Sequence, residues 1–84
     1  MAEMSRTKRP ARARPYSSPA RAGVRLLGAE IARERKQARV TAADLAERAR
    51  ISLVTLRKVE RGEPSVAIGT VFEVAVLLLS LIHI

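Results

Sequence analysis

Thr41-Ala-Ala-Asp-Leu-Ala-Glu-Arg-Ala-Arg-Ile-Ser-Leu-Val-Thr-Leu-Arg-Lys-Val-Glu-Arg-Gly62 is the stretch on which the reading of this 84-residue chain turns. It holds two short helical periods separated by a break at Arg50-Ile51-Ser52. In the first, about 42–49, Leu45, Ala46 and Ala49 fall on one face. Thr41 can cap that helix with its hydroxyl, and Asp44 three residues on completes a capping-box-like pair. In the second, about 53–60, Leu56 and Val59 point inward behind a Ser52 N-cap. Gly62 suits the left-handed position past a helix end, and Pro64 cannot continue a helix.

Two short helices joined by about three residues, the second opened by Ser and dotted with exposed cations, have the layout of a helix-turn-helix. Such a pair crosses steeply and closely, so a small residue is needed at the crossing, and Ala46 supplies it. Leu45, Ala49, Ile51, Leu56 and Val59 stand where apolar residues must lock the pair. Once Leu56 and Val59 are buried, Leu53, Val54, Arg57 and Lys58 are left on the outer face of the second helix.

Outward from this unit the pattern stays helical. Leu27, Ile31 and Ala38, with the stem of Arg35 between them, predict a helix over roughly 24–38. Its polar face carries Glu30, Arg33, Glu34 and Lys36, with Glu30–Glu34 a mildly unfavourable i,i+4 pair. A fourth, strongly apolar helix is predicted at about 68–79, with Ile68, Val71, Phe72, Val74, Ala75, Val76, Leu77 and Leu78. No segment alternates as a strand does, so the fold class is all-α, a compact four-helix bundle over residues 23–79. Residues 80–84 form an apolar tail, read either as a non-native end or as a short form docking on a partner. Phe72, Val76 and Leu79 are expected to lack cover.

Residues 1–22 contain three of the four prolines and six basic residues against Glu3 alone, a balance of +5 out of a total of +8. They show no apolar periodicity and are read as a disordered basic arm. Lys8, Arg9, Arg12 and Arg14 would follow DNA phosphates without sequence preference; the alternatives are a solvated tail or a misassigned start with the real start downstream. The remaining +3 belongs to the folded part.

Composition narrows the function classes. The chain has no cysteine and a single histidine, His83, so neither a zinc–cysteine site nor a catalytic triad can be assembled. No enzyme, metal or cofactor is expected. The positive balance calls for an anionic partner. With only Tyr16 and Phe72 as aromatics, base-stacking on single strands is disfavoured and duplex DNA is preferred. No secretory signal is recognisable, and the apolar run after Val74 falls far short of the 18–20 or so residues of a membrane span. A cytoplasmic protein, nucleoid-associated when bound, is expected.

Ile31-Ala-Arg-Glu-Arg35, Asp44-Leu-Ala-Glu-Arg48 and Ile51–Gly62 together resemble the Xre/Cro-type, lambda-repressor-like helix-turn-helix domain, over about residues 26–78. The resemblance implies a bundle of four or five helices, the fifth missing here, and operator binding as a homodimer in a full-length form. It implies that Leu53, Val54, Arg57 and Lys58 face base edges. Leu53 and Val54 would meet thymine methyls, and Lys58 or Arg57 would donate to guanine. It implies phosphate contacts for Ser52 and Arg61, with the contact usual where Ala42 stands either lost or moved to Thr41, and a structural salt bridge between Arg35 and Glu60. Two positions depart from the pattern: Ala42 replaces the usual Gln at the start of the second helix, and Arg50 replaces the usual Gly in the turn. The expected function is a sequence-specific, repressor-like regulator of transcription. Alternatives are the antitoxin subunit of a toxin–antitoxin operon, hinted at by Ser65–Phe72, with a toxin as partner, or a protein-interaction module using the fourth helix. A membrane-surface peptide is disfavoured by the balanced charges of the first two helices.

Overall fold

The computed structural model describes residues 16–83. They form α1 (Ser18–Gln37), α2 (Ala42–Ala49), α3 (Leu53–Arg61) and α4 (Ile68–His83), with no strand among the described residues.

α1 starts at Ser18, six residues before the point its apolar spacing predicts and inside the segment read as an arm. Local chemistry sets this start. The Ser17 hydroxyl accepts from the Ala20 amide at 3.3 Å, and Pro19 sits in the first turn, where a missing N–H costs nothing. The turn is solvent-exposed, so no apolar period reveals it. Lys8, Arg9, Arg12 and Arg14 lie outside the described residues. α4 likewise runs past 79 to His83, because Ser80-Leu81-Ile82 carries the helix on and Leu81 packs against the core.

Ile31, Leu45, Ala46, Leu56, Val59, Val74 and Leu78 form the buried core, drawn from all four helices. Leu27, expected inside, is 41% exposed; Gly28 is buried in its place. The cause is the crossing of α1 over the end of α3. A Cβ on Gly28 would lie 2.8 Å from the Glu60 carbonyl oxygen and 2.9 Å from the Gly62 amide nitrogen. A Cβ on Gly62 would lie 2.7 Å from the Arg25 nitrogen and the Val24 oxygen. The two backbones touch directly, each at the other's glycine, so α1 is rotated to turn Gly28 inward and Leu27 out.

Glu30 and Glu34 do not simply repel. The Arg33 guanidinium stands between them, 2.7 Å from Glu30 and 3.7 Å from Glu34. Its hydrogen bond holds the Glu30 carboxyl below the usual carboxylate range.

α1, α2 and α3 all end in the same way. One residue turns left-handed and donates to the carbonyl three residues back, while the next residue donates to the carbonyl five back, which is a Schellman closure. The pairs are Arg39–Lys36 with Val40–Arg35, Arg50–Glu47 with Ile51–Ala46, and Gly62–Val59 with Glu63–Lys58, at 3.0–3.1 Å. Glycine occupies the left-handed position only after α3 (φ 73°). After α1 and α2 it is Arg39 (φ 61°) and Arg50 (φ 59°). A side chain there costs about 1 kcal/mol relative to glycine.

Candidate nucleic-acid interface

α2 and α3 are set up by near-identical openings. Thr41 Oγ1 accepts from the Asp44 amide at 3.0 Å, and Ser52 Oγ accepts from the Thr55 amide at 3.0 Å. The residue before each cap, Val40 or Ile51, packs against the core as a hydrophobic staple. Ser52 also donates to Thr55 Oγ1 at 2.9 Å. Thr55 was not singled out from the sequence, although its place three residues after a Ser cap is the available signal.

At 100° per residue, Leu53, Arg57 and Arg61 share one row along α3, and Val54 and Lys58 a second row beside it. Leu56 and Val59 lie on the opposite side, in the core. Leu53, Val54 and Arg57 are exposed and Lys58 is half-buried. Among the described residues neither Arg57 nor Lys58 has a carboxylate partner. Arg61 does: its guanidinium is 2.7 Å from Glu63, a partner the sequence reading missed. Arg61 must exchange that carboxylate for a phosphate to act as expected. The face therefore offers two apolar side chains at its leading end, free cations in the middle and a third cation at its exit.

Behind the face, Arg35 and Glu60 meet. Nε donates to Oε2 at 2.7 Å and Nη2 to Oε1 at 3.1 Å, a bidentate pair whose side chains are 10% and 11% exposed. Arg35 Nη1 donates to the Val40 carbonyl at 2.9 Å. One guanidinium thus joins α1, the turn leading to α2, and α3. Its two hydrogen bonds to the carboxylate fix the rotation of α3, hence which residues face outward.

Among the described residues there is no group of His, Asp or Glu able to hold a metal ion. No described helix is long and apolar enough to cross a membrane. A capped, cation-bearing helix set across a second by a three-residue turn, and clamped from behind by a third, defines a DNA-binding helix-turn-helix domain. A family model described as a helix-turn-helix domain matches residues 26–78, well over half of the chain. The chain belongs to this Xre/Cro-like helix-turn-helix family, whose members are typically non-enzymatic. No curated protein and no solved structure matches it.

Proposed function

We propose that this protein is a sequence-specific regulator of transcription, repressor-like in action, that inserts α3 into the major groove of duplex DNA. The observation that carries this reading is the outer face of α3. Leu53, Val54, Arg57 and Lys58 project from a helix whose rotation is held by the Arg35–Glu60 pair. Apolar side chains at the leading end suit thymine methyls, and Arg57 and Lys58 suit guanine O6 and N7. Thr41 and Ser52, the N-caps of α2 and α3, and Arg61 at the end of α3 suit phosphates, which position without specifying. The basic side chains at Lys8, Arg9, Arg12 and Arg14 would add sequence-independent attraction.

Selection of bound sequences from a random duplex pool tests the proposal directly: a consensus half-site is expected, and recovery of unenriched sequence would overturn it. On the selected site, Lys58→Ala should cost about 1–3 kcal/mol and relax preference at one position. Arg61→Ala should instead weaken all duplexes alike and lower the salt slope by about one. Identical behaviour of the two variants would refute the division of roles.

The protein binds its site as a homodimer through α4. Ile68, Phe72, Ala75, Leu79 and Ile82 recur at alternating spacings of four and three, the seam of a paired helix. Phe72 and Val76 are each 60% exposed. Ile68, Phe72, Leu79 and Ile82 leave their apolar side chains exposed along this seam, a strip that a two-fold pair of α4 helices would bury. Glu30 and Glu34 line a groove between α1 and α4 together with Ala75, Leu79 and Ile82, which disfavours an anionic membrane at that end of the seam. α4 packs on α1 and α2, leaving the outer face of α3 to the DNA. Sedimentation should show a dimer at micromolar concentration, and Phe72→Lys should give a folded monomer. A monomeric native chain at about 100 μM would exclude this pairing, and a stoichiometric complex with a toxin at α4 would instead favour the antitoxin reading.

A further inference from the structure

Arg39 and Arg50 occupy equivalent places. Each is the left-handed residue after a helix, and each is followed by a β-branched apolar residue and then a hydroxyl N-cap: Arg39-Val40-Thr41 and Arg50-Ile51-Ser52. Glycine is the residue this backbone favours, and the same chain uses it after α3. Both arginines are exposed, and neither side chain has a hydrogen bond or a carboxylate within 4 Å among the described residues. Neither contributes to the core. Among the described residues neither side chain makes a contact that offsets the cost of its left-handed backbone relative to glycine, so the return is sought outside the fold.

We propose that Arg39 and Arg50 are a pair of DNA-backbone contacts, one at each turn of the helix-turn-helix, gained at the expense of fold stability. This inference rests on the reading of α3 as the groove-entering helix. The turn before α3 leads into that helix, and the turn before α2 is tied to the last turn of α3 by Arg35, which bonds both the Val40 carbonyl and Glu60; phosphates pass on both sides of a helix lying in a major groove. A guanidinium at each turn brings a delocalised charge with several donors to a phosphate oxygen, which an amide of glycine alone does not. Arg57 and Lys58 are thereby freed for base edges. From residue 39 to residue 58 the cations without a carboxylate partner are Arg39, Arg50, Arg57 and Lys58, two for the strands and two for the groove.

The test uses the whole chain, random duplex DNA and a salt titration, with thermal unfolding measured in parallel. The double variant Arg39→Gly with Arg50→Gly should melt higher, by roughly 4 °C or more per site, while binding duplex at least tenfold more weakly at about 0.1 M salt. Its log–log salt slope should be shallower by about two. Arg50→Asn tolerates the left-handed backbone without the charge and should lose about one unit of slope; Arg50→Lys should keep it. Arg33→Gln removes an equal charge from the Glu30 side of α1 and should leave the slope nearly unchanged. An unchanged slope in the double variant, or an equal loss from Arg33→Gln, would overturn the assignment while leaving the α3 reading intact. Absence of duplex binding by the native chain would reject both.

Discussion

Gly28→Val should abolish the cooperative thermal transition of the domain. Its Cβ would have to share space with three main-chain groups, the carbonyls of Val59 and Glu60 and the amide of Gly62. Contacts below 3 Å with backbone cannot be relieved by a rotamer change, so α1 and α3 must separate. Separation takes Ile31 off the core and pulls Arg35 away from Glu60. Overpacking inside a core that can yield costs about 1–3 kcal/mol; here the obstacle is rigid on both sides. A domain of this size has roughly 3–5 kcal/mol in total. Circular dichroism on heating should therefore show a broad, non-cooperative loss of helix. A sharp transition within a few degrees of the native one would mean that α1 does not sit on α3 as described.

The second large effect is expected at Glu60. Glu60→Ala leaves the Arg35 guanidinium buried without its carboxylate, and breaking a buried pair from one side costs about 3–5 kcal/mol. The loss is mainly that of an uncompensated charge, since the intact pair is itself worth much less. Replacing both residues with apolar ones, Arg35→Met with Glu60→Leu, should accordingly recover most of the stability lost in Glu60→Ala. Denaturant titration of Arg35→Met, Glu60→Leu and the double variant gives the coupling directly. If the double variant were as unstable as the sum of the singles, the two residues would not be acting as a pair. Because the pair also fixes the rotation of α3, the recovered double variant should still bind DNA less selectively than the native chain.

How far the sequence discloses this molecule depends on which atoms carry each feature. Caps were legible because they are side-chain chemistry: Thr41 and Ser52 open α2 and α3 as their hydroxyls predict. The core of the helix pair was legible too, since Leu45, Leu56 and Val59 repeat at helical spacing and are buried. The outward set on α3 then follows by subtraction. What escaped lies in the backbone or in the exposed parts. Leu27 and Gly28 exchange places because α1 approaches α3 main chain to main chain, and such contact has no apolar signature. The first turn of α1 is exposed, so only Ser17 and Pro19 announce it. Arg39 looks like any surface cation until its φ is known. Arg61 was assigned by its position alone, and Glu63, which holds it, was overlooked.

The guanidinium of Arg35 ends on two kinds of acceptor, and the difference bears on how the chain can change over time. One acceptor is the Glu60 side chain, which a single codon change removes. The other is the carbonyl of Val40, which every amino acid at that position provides. Residue 40 can therefore drift among apolar types without untying the turn from the helices around it. Of the three segments joined there, two answer to mutation and the third is inherited with the peptide backbone. Divergent copies of this domain can exchange the apolar residue at 40 and still present α3 at the same angle.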